Sequence, residues 1–224
     1  MLFGGAWLII SQASCGKTTN AGPTGLNVQY EVLNLSPDMN PVNLYIDLKS
    51  VNKFPFIYSV NQGYFYVPST DTPYQIRTTA VSNATYVSRS DILKSGGKYS
   101  LFITGSLLGN SLRPIFTVDT ATQAPIGKGK VRFVNASPSG TGGFDVYANG
   151  TKAFSNIVYP NYSGYVEFPV GTYDFQIMAK GGTAVLNDRP NITIQDGRLY
   201  TIYAYGYTSR ADTAAFTSGI ITNK

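Results

Sequence analysis

A single amino-acid pattern runs twice along this chain, roughly a hundred residues apart. Asn34 of Leu33-Asn34-Leu35-Ser36-Pro37 returns as Asn135 of Val134-Asn135-Ala136-Ser137-Pro138. The same 101-residue step carries Tyr58 onto Tyr159, Gly63-Tyr64 onto Gly164-Tyr165, Gln75-Ile76 onto Gln176-Ile177, Tyr99 onto Tyr200 and Gly105 onto Gly206. A unit of this length exceeds a solenoid repeat or a propeller blade and has the size of a small globular domain. The 224 residues therefore divide into a first domain over 27–118, a linker over 119–129 and a second domain over 130–224.

Each copy parses into short alternating segments. In the first, Val28, Tyr30 and Val32 share one strand face while Gln29 and Glu31 share the other. In the second, Val131, Phe133 and Asn135 oppose Lys130, Arg132 and Val134. Asn149-Gly150 is a two-residue hairpin signal. No window sustains a helical period, and about seven strands per copy, among 17 Tyr, 12 Phe, 23 Gly and 12 Pro, predict an all-β fold of two antiparallel sandwiches. The expected core of the second copy is Val131, Phe133, Val146, Tyr165, Phe175, Ile177, Ile194, Tyr200 and Ile202. Both copies close on a Phe-Thr strand, Phe116-Thr117 and Phe216-Thr217. Because strands begin on both sides of the linker, the domains are expected to be close neighbours.

With no histidine and one cysteine, the chain holds no Ser-His-Asp triad, no Cys-His dyad and no His- or Cys-based metal site. Neither a catalytic centre nor a metal or other cofactor is expected. The formal charge of +5 is dispersed: eight Lys/Arg against six acids up to Thr120, nine against six after it. Lys128, Lys130 and Arg132 share one strand face, which reads as solvated cations rather than a nucleic-acid surface. Lys17-Thr18 ends a glycine-containing run like a Walker A loop, but the strand-loop-helix setting is missing. Asn83, Asn149, Asn161 and Asn191 stand in sequons, glycosylation sites in form only.

The cysteine, Cys15, follows an apolar stretch from Met1 to Ile10 and the small residues Ser11, Ala13 and Ser14. This resembles the lipobox of bacterial lipoproteins. Residues 1–14 then read as a lipoprotein signal peptide, Cys15 as the lipidation site and 15–26 as a flexible tether. Gln12 departs from the leucine the pattern prefers. Ten apolar residues are too few to span a bilayer, so the expected membrane partner is reached through the lipid, placing the protein in the cell envelope, on the periplasmic or surface face of the outer membrane.

The order Val131-Arg132-Phe133-Val134-Asn135-Ala136-Ser137-Pro138, then Phe144-Asp145-Val146-Tyr147-Ala148-Asn149-Gly150, then Pro169-Val170-Gly171-Thr172-Tyr173 and Leu199-Tyr200-Thr201-Ile202-Tyr203-Ala204-Tyr205-Gly206 resembles domain-of-unknown-function family 4397. That family occurs, often in tandem, in bacterial exported proteins and lipoproteins of the Bacteroidetes type. The resemblance covers Val131 to Gly206 strongly and Val28 to Gly105 more weakly. In the first copy Leu48-Lys49 replaces the hairpin glycine and Tyr66-Val67-Pro68-Ser69 leads into a different turn. The resemblance implies immunoglobulin-like sandwiches and no established activity.

Three features compete as sites. The Asn-x-Ser-Pro turn is explained by asparagine bonding its own backbone and proline presetting φ. Tyr203, Tyr205 and Tyr207 fall on one strand face, where they either stack on sugar rings as ligand-binding residues or fill a domain interface. Asp145 and Glu167, on adjacent-type strands, are the one carboxylate pair that glycosidase chemistry would use, and surface placement is the simpler reading. The expected function is a non-enzymatic structural or adhesive envelope module with a protein or polysaccharide partner. The alternative is a carbohydrate-binding module using the tyrosines.

Overall fold

A computed structural model describes residues 26–39, 41–80 and 82–223. The expected signal peptide, Cys15 and the tether up to residue 25 lie outside the described residues. The first copy forms β1 (Asn27–Asn34), β2 (Val42–Ile46), β3 (Lys49–Ser50), β4 (Phe65–Pro68), β5 (Tyr74–Thr78), β6 (Thr85–Arg89), β7 (Lys98–Ile103) and β8 (Ile115–Val118). The second forms β9 (Lys128–Asn135), β10 (Phe144–Ala148), β11 (Thr151–Ile157), β12 (Val166–Pro169), β13 (Gly171–Ala179), β14 (Val185–Ile194), β15 (Leu199–Tyr205) and β16 (Thr217–Thr222), with a 3-10 turn at Pro138–Gly142.

The sheets correspond strand for strand. The first domain stacks β4-β1-β7-β8 on β3-β2-β5-β6, and the second stacks β12-β9-β15-β16 on β11-β10-β13-β14. Pairing is antiparallel except for β1 with β7 and β9 with β15. The all-β, two-sandwich expectation is met, with eight strands per copy rather than seven. The strand missed in both copies is β6 and its equivalent β14. In β14 only Ile194 is fully buried and Pro190 interrupts the run, as an edge strand allows, so the strand presents no clean apolar alternation. The run around Phe56 and Tyr58 makes only isolated bridges, to Val42 and Asn34.

Local signals explain the turns. Asn149 and Gly150 both have positive φ, 46° and 78°, as a type I′ hairpin requires. Asp47 and Leu48 make the equivalent turn at φ 47° and 63°, so the first copy keeps the geometry without the glycine. In both copies the first-strand asparagine is sealed, and its Oδ1 accepts the backbone N–H of the serine two residues on, Asn34 from Ser36 and Asn135 from Ser137, each at 3.2 Å. The structural reading of that turn is therefore sufficient.

Each sandwich has its own core. The first gathers Val28, Tyr30, Val32, Leu44, Ile76, Tyr99 and Leu101. The second includes eight of the nine expected core residues, Val131, Phe133, Val146, Phe175, Ile177, Ile194, Tyr200 and Ile202. Tyr165 departs: it precedes β12, is half-buried, and sends its hydroxyl toward the other domain. The Phe-Thr echo also fails as an equivalence. Tyr99 pairs with Val118, whereas Tyr200 pairs with Thr222, so Phe116 corresponds to Ile220 and Asp119 to Asn223.

A third core lies between the sandwiches. Leu33, Leu35, Phe102 and Ile115 of the first domain pack on Val134, Ala136, Tyr203 and Ile221 of the second. The outward faces of the β1/β7 and β9/β15 sheets are thus buried against each other, giving four stacked layers. The pairing is isologous: Phe102 and Tyr203, equivalent by the 101-residue step, touch each other at 5.6 Å between ring centroids. Equivalent residues meet only near a two-fold axis, so the chain folds as a fused, pseudo-symmetric dimer. Residues 119–129 are less of a linker than expected: Asp119 is fully buried, and β9 begins at Lys128.

Candidate functional site at the interdomain seam

The seam between the domains contains the polar residues that strand alternation assigned to solvent. Glu31 on β1 is 0% exposed and Arg132, its equivalent on β9, 2%. Arg132 is therefore no part of a cationic strip with Lys128 and Lys130. Its Nε donates to Thr201 Oγ1 at 2.8 Å, Nη1 to the Val118 carbonyl at 2.9 Å, and Nη2 to Thr117 Oγ1 at 2.9 Å. Nη2 also forms a buried ion pair with Asp119. The guanidinium lies 5.0 Å from the Tyr165 ring centroid, a geometry that adds cation–π attraction in a desolvated site.

Asp119 is the hub. Its carboxylate accepts from Tyr64 Oη and Ser100 Oγ, both at 2.6 Å, and from Thr117 Oγ1 at 2.8 Å. Asn223, the Asp119 equivalent, donates through Nδ2 to Tyr64 Oη at 2.7 Å and accepts from Thr201 Oγ1 at 2.8 Å. Four pseudo-symmetric pairs therefore build the network: Glu31 with Arg132, Ser100 with Thr201, Asp119 with Asn223, and Tyr64 with Tyr165. Duplication supplied matched positions, and the copies then diverged in charge at two of them.

At the end of the seam where β1, β7, β9 and β15 finish, the loops of both domains form a common rim. Thr104 Oγ1 donates across the seam to the Ala136 carbonyl. Tyr58 of the first domain meets Tyr205 of the second edge-on at 6.2 Å. On the first-domain side of this rim, Asp38 accepts from Ser36 Oγ and from the backbone N–H groups of Leu107 and Leu108. Burial opposes ionisation of Asp38, but these bonds and one from Ser106 hold its carboxyl below the ordinary range. This carboxylate organises the loop after β7.

The three expected ligand-binding tyrosines are divided by this geometry. Tyr203 is 5% exposed inside the third core, so its ring is no platform for a sugar. Tyr205 stacks on Tyr203 at 5.7 Å and is half-buried. Tyr207, also partly exposed, reaches the rim beyond the strand. Burial raises the phenol pKa of all three, so they act as neutral groups. Sequence reasoning missed two further rim residues, Tyr58 and Tyr159, whose buried hydroxyls find no hydrogen-bond partner among the described residues.

The surface placement expected for the two carboxylates holds for Glu167 alone, since Asp145 is buried. Asp145 lies on β10 and Glu167 on β12, in opposite sheets of the second sandwich. Asp145 is engaged by Lys152 Nζ at 2.7 Å and by the N–H groups of Asn156 and Gly181. Those bonds overcome the effect of burial and hold it at about 2. Glu167 pairs with Lys128 at 3.0 Å. The described residues contain no helix long and apolar enough to cross a membrane.

Fold and seam together define a tandem β-sandwich protein with a pseudo-symmetric domain interface. The family model described as Domain of unknown function (DUF4397) matches residues 28–141 and 139–220, and the chain belongs to this family. No curated protein matches the chain. A solved structure described as alpha-glucan binding by a streptococcal virulence factor aligns over 78% of this chain and 91% of its own, at 11% identity and a TM-score of 0.24. That likeness is too slight to carry an argument about fold or ligand.

Proposed function

We propose that the chain is a non-enzymatic, lipid-anchored envelope protein whose fused sandwiches present one rigid loop rim to a partner. The observation that carries this reading is directional. The chain enters the fold at Asn27, the start of β1, whereas the rim gathers at the opposite end, beyond Asn34, Ile103, Asn135 and Tyr205. A tether from Cys15 to Leu26 would attach at the end away from the rim. Anchored there by diacylglycerol and an acylated amino terminus, the module would hold the rim away from the bilayer. Intact mass of the protein isolated from its native host checks the anchor: the expected product starts at a lipidated Cys15, and an unmodified full-length chain contradicts it.

Recognition of a polysaccharide at the rim is the second reading, favoured by the partly exposed side chains of Tyr205 and Tyr207 there. Each offers a hydrogen bond next to an aromatic face, the pairing that sugar rings use. Arg210, exposed in the loop after β15 and paired with Asp212, has its backbone N–H bonded to the Tyr207 carbonyl, and replacing Tyr207 and Arg210 together with alanine is expected to abolish retention on the recognised glycan. Both residues lie outside the buried cores, so stability should change by no more than about 0.5–1 kcal/mol. Retention equal to that of the parent across a glycan array rejects this reading.

A further inference from the structure

The seam contains more buried negative charge than positive, and its hydrogen bonds show where the imbalance is relieved. Ser100 Oγ lies 2.6 Å from Asp119 Oδ2 and 3.3 Å from Glu31 Oε2. A hydroxyl has one proton and two acceptor lone pairs, and the short contact to Asp119 claims the proton. The Tyr64 and Thr117 protons also go to Asp119. Ser100 can therefore meet Glu31 only as an acceptor, which requires the carboxyl group to donate. Glu31 Oε1 is buried with no hydrogen-bond partner among the described residues, a setting tolerable for a neutral acid and costly for an anion.

We propose that Glu31 sits in the closed seam as a neutral carboxylic acid donating its proton to Ser100, which makes the seam a proton-binding site and domain pairing tighter in acid.

The groups facing Glu31 support this assignment. From its own domain come the Asp119 carboxylate and the Tyr64 phenol, with Lys98 Nζ 5.0 Å from the Tyr64 ring. From the other domain come Tyr203 and the Tyr165 and Arg132 side chains around Asp119. Arg132 is committed to Asp119, and among the described residues no ion pair forms on Glu31. Desolvation first, and then repulsion from Asp119, push the Glu31 carboxyl from 4.5 up to about 7, against smaller opposing influences of the neighbouring polar side chains of Ser100, Asn61 and Tyr64.

A folded-state value above the unfolded one fixes the sign. The contribution to stability is fully present below pH 4.5 and is lost as pH rises through about 7. The full effect is about 300-fold in the folding equilibrium. The proposal concerns the seam and holds whether or not the rim binds a partner.

The chain contains two glutamates, Glu31 and Glu167, so carboxyl-13C labelling of glutamate in the full-length protein gives two signals. One is expected to titrate near pH 7 and to vanish in Glu31→Gln. In unfolding experiments from pH 4 to 8, the parent is expected to lose stability with rising pH and Glu31→Gln to lack that component. Absence of a midpoint near pH 7, or the same pH profile in parent and variant, overturns the proposal. Should Glu31→Gln fail to fold, Glu167→Gln, at an exposed ion pair, assigns the remaining signal to Glu31 and the titration still decides.

Discussion

Replacing Arg132 with methionine is expected to lower the unfolding free energy by about 3–5 kcal/mol, the usual cost of removing one partner of a buried ion pair. The size of the loss comes from what remains. Asp119, fully buried, keeps its donors from Tyr64, Ser100 and Thr117 but loses its counter-charge. Thr201 Oγ1 and the Val118 carbonyl also lose the guanidinium that bonded them. Removing both charges is gentler, because a neutral amide and a thioether leave no isolated ion. The double variant Asp119→Asn/Arg132→Met is therefore expected to lose clearly less than the two single losses combined. A double-mutant cycle from urea unfolding measures this, and strictly additive losses would mean the pair is uncoupled.

Phe102→Ala is expected to cost about 3–5 kcal/mol, as much as a large truncation in an ordinary core. Phe102 belongs to neither sandwich interior. It is 0% exposed because Tyr203 of the other domain closes over it. Truncation leaves a void at the pseudo-two-fold axis that cannot collapse easily: Tyr203 is held by its stack on Tyr205, and its ring lies against Gly219, where an added Cβ would sit 2.2 Å from ring atoms. If the sandwiches were independent, the same change on an outward sheet face would cost well under 1 kcal/mol. Equilibrium unfolding of the variant distinguishes the two.

Much of the architecture was legible in the sequence. Alternation at Val28, Tyr30 and Val32 and at Val131 and Phe133 reports one buried face of a central strand, and Asn149-Gly150 reports its hairpin, because both are local properties. The seam was hidden because burial of the second face is not local. Glu31 and Arg132 read as solvent-facing in any single strand, and only the docking of one copy on the other puts them inside. A signal was present in the adjacent apolar pairs Val32-Leu33, Leu101-Phe102 and Phe133-Val134, which put hydrophobic residues on both faces of the same strands. Asp119 was hidden further by a shift of register. Its equivalence to Asn223 follows from strand pairing, whereas the Phe-Thr echo pointed to another alignment. The tyrosine row was legible as a row, and what surrounds Tyr203 required the three-dimensional arrangement.

Calorimetric unfolding of the intact chain tests the fused pseudo-symmetric dimer most directly. Two sandwiches sharing a buried third core and a buried ion-pair network should melt as one unit, in a single transition whose calorimetric and van't Hoff enthalpies agree. Two resolved transitions in the unmodified chain, each with the enthalpy of a domain of about a hundred residues, would contradict the account.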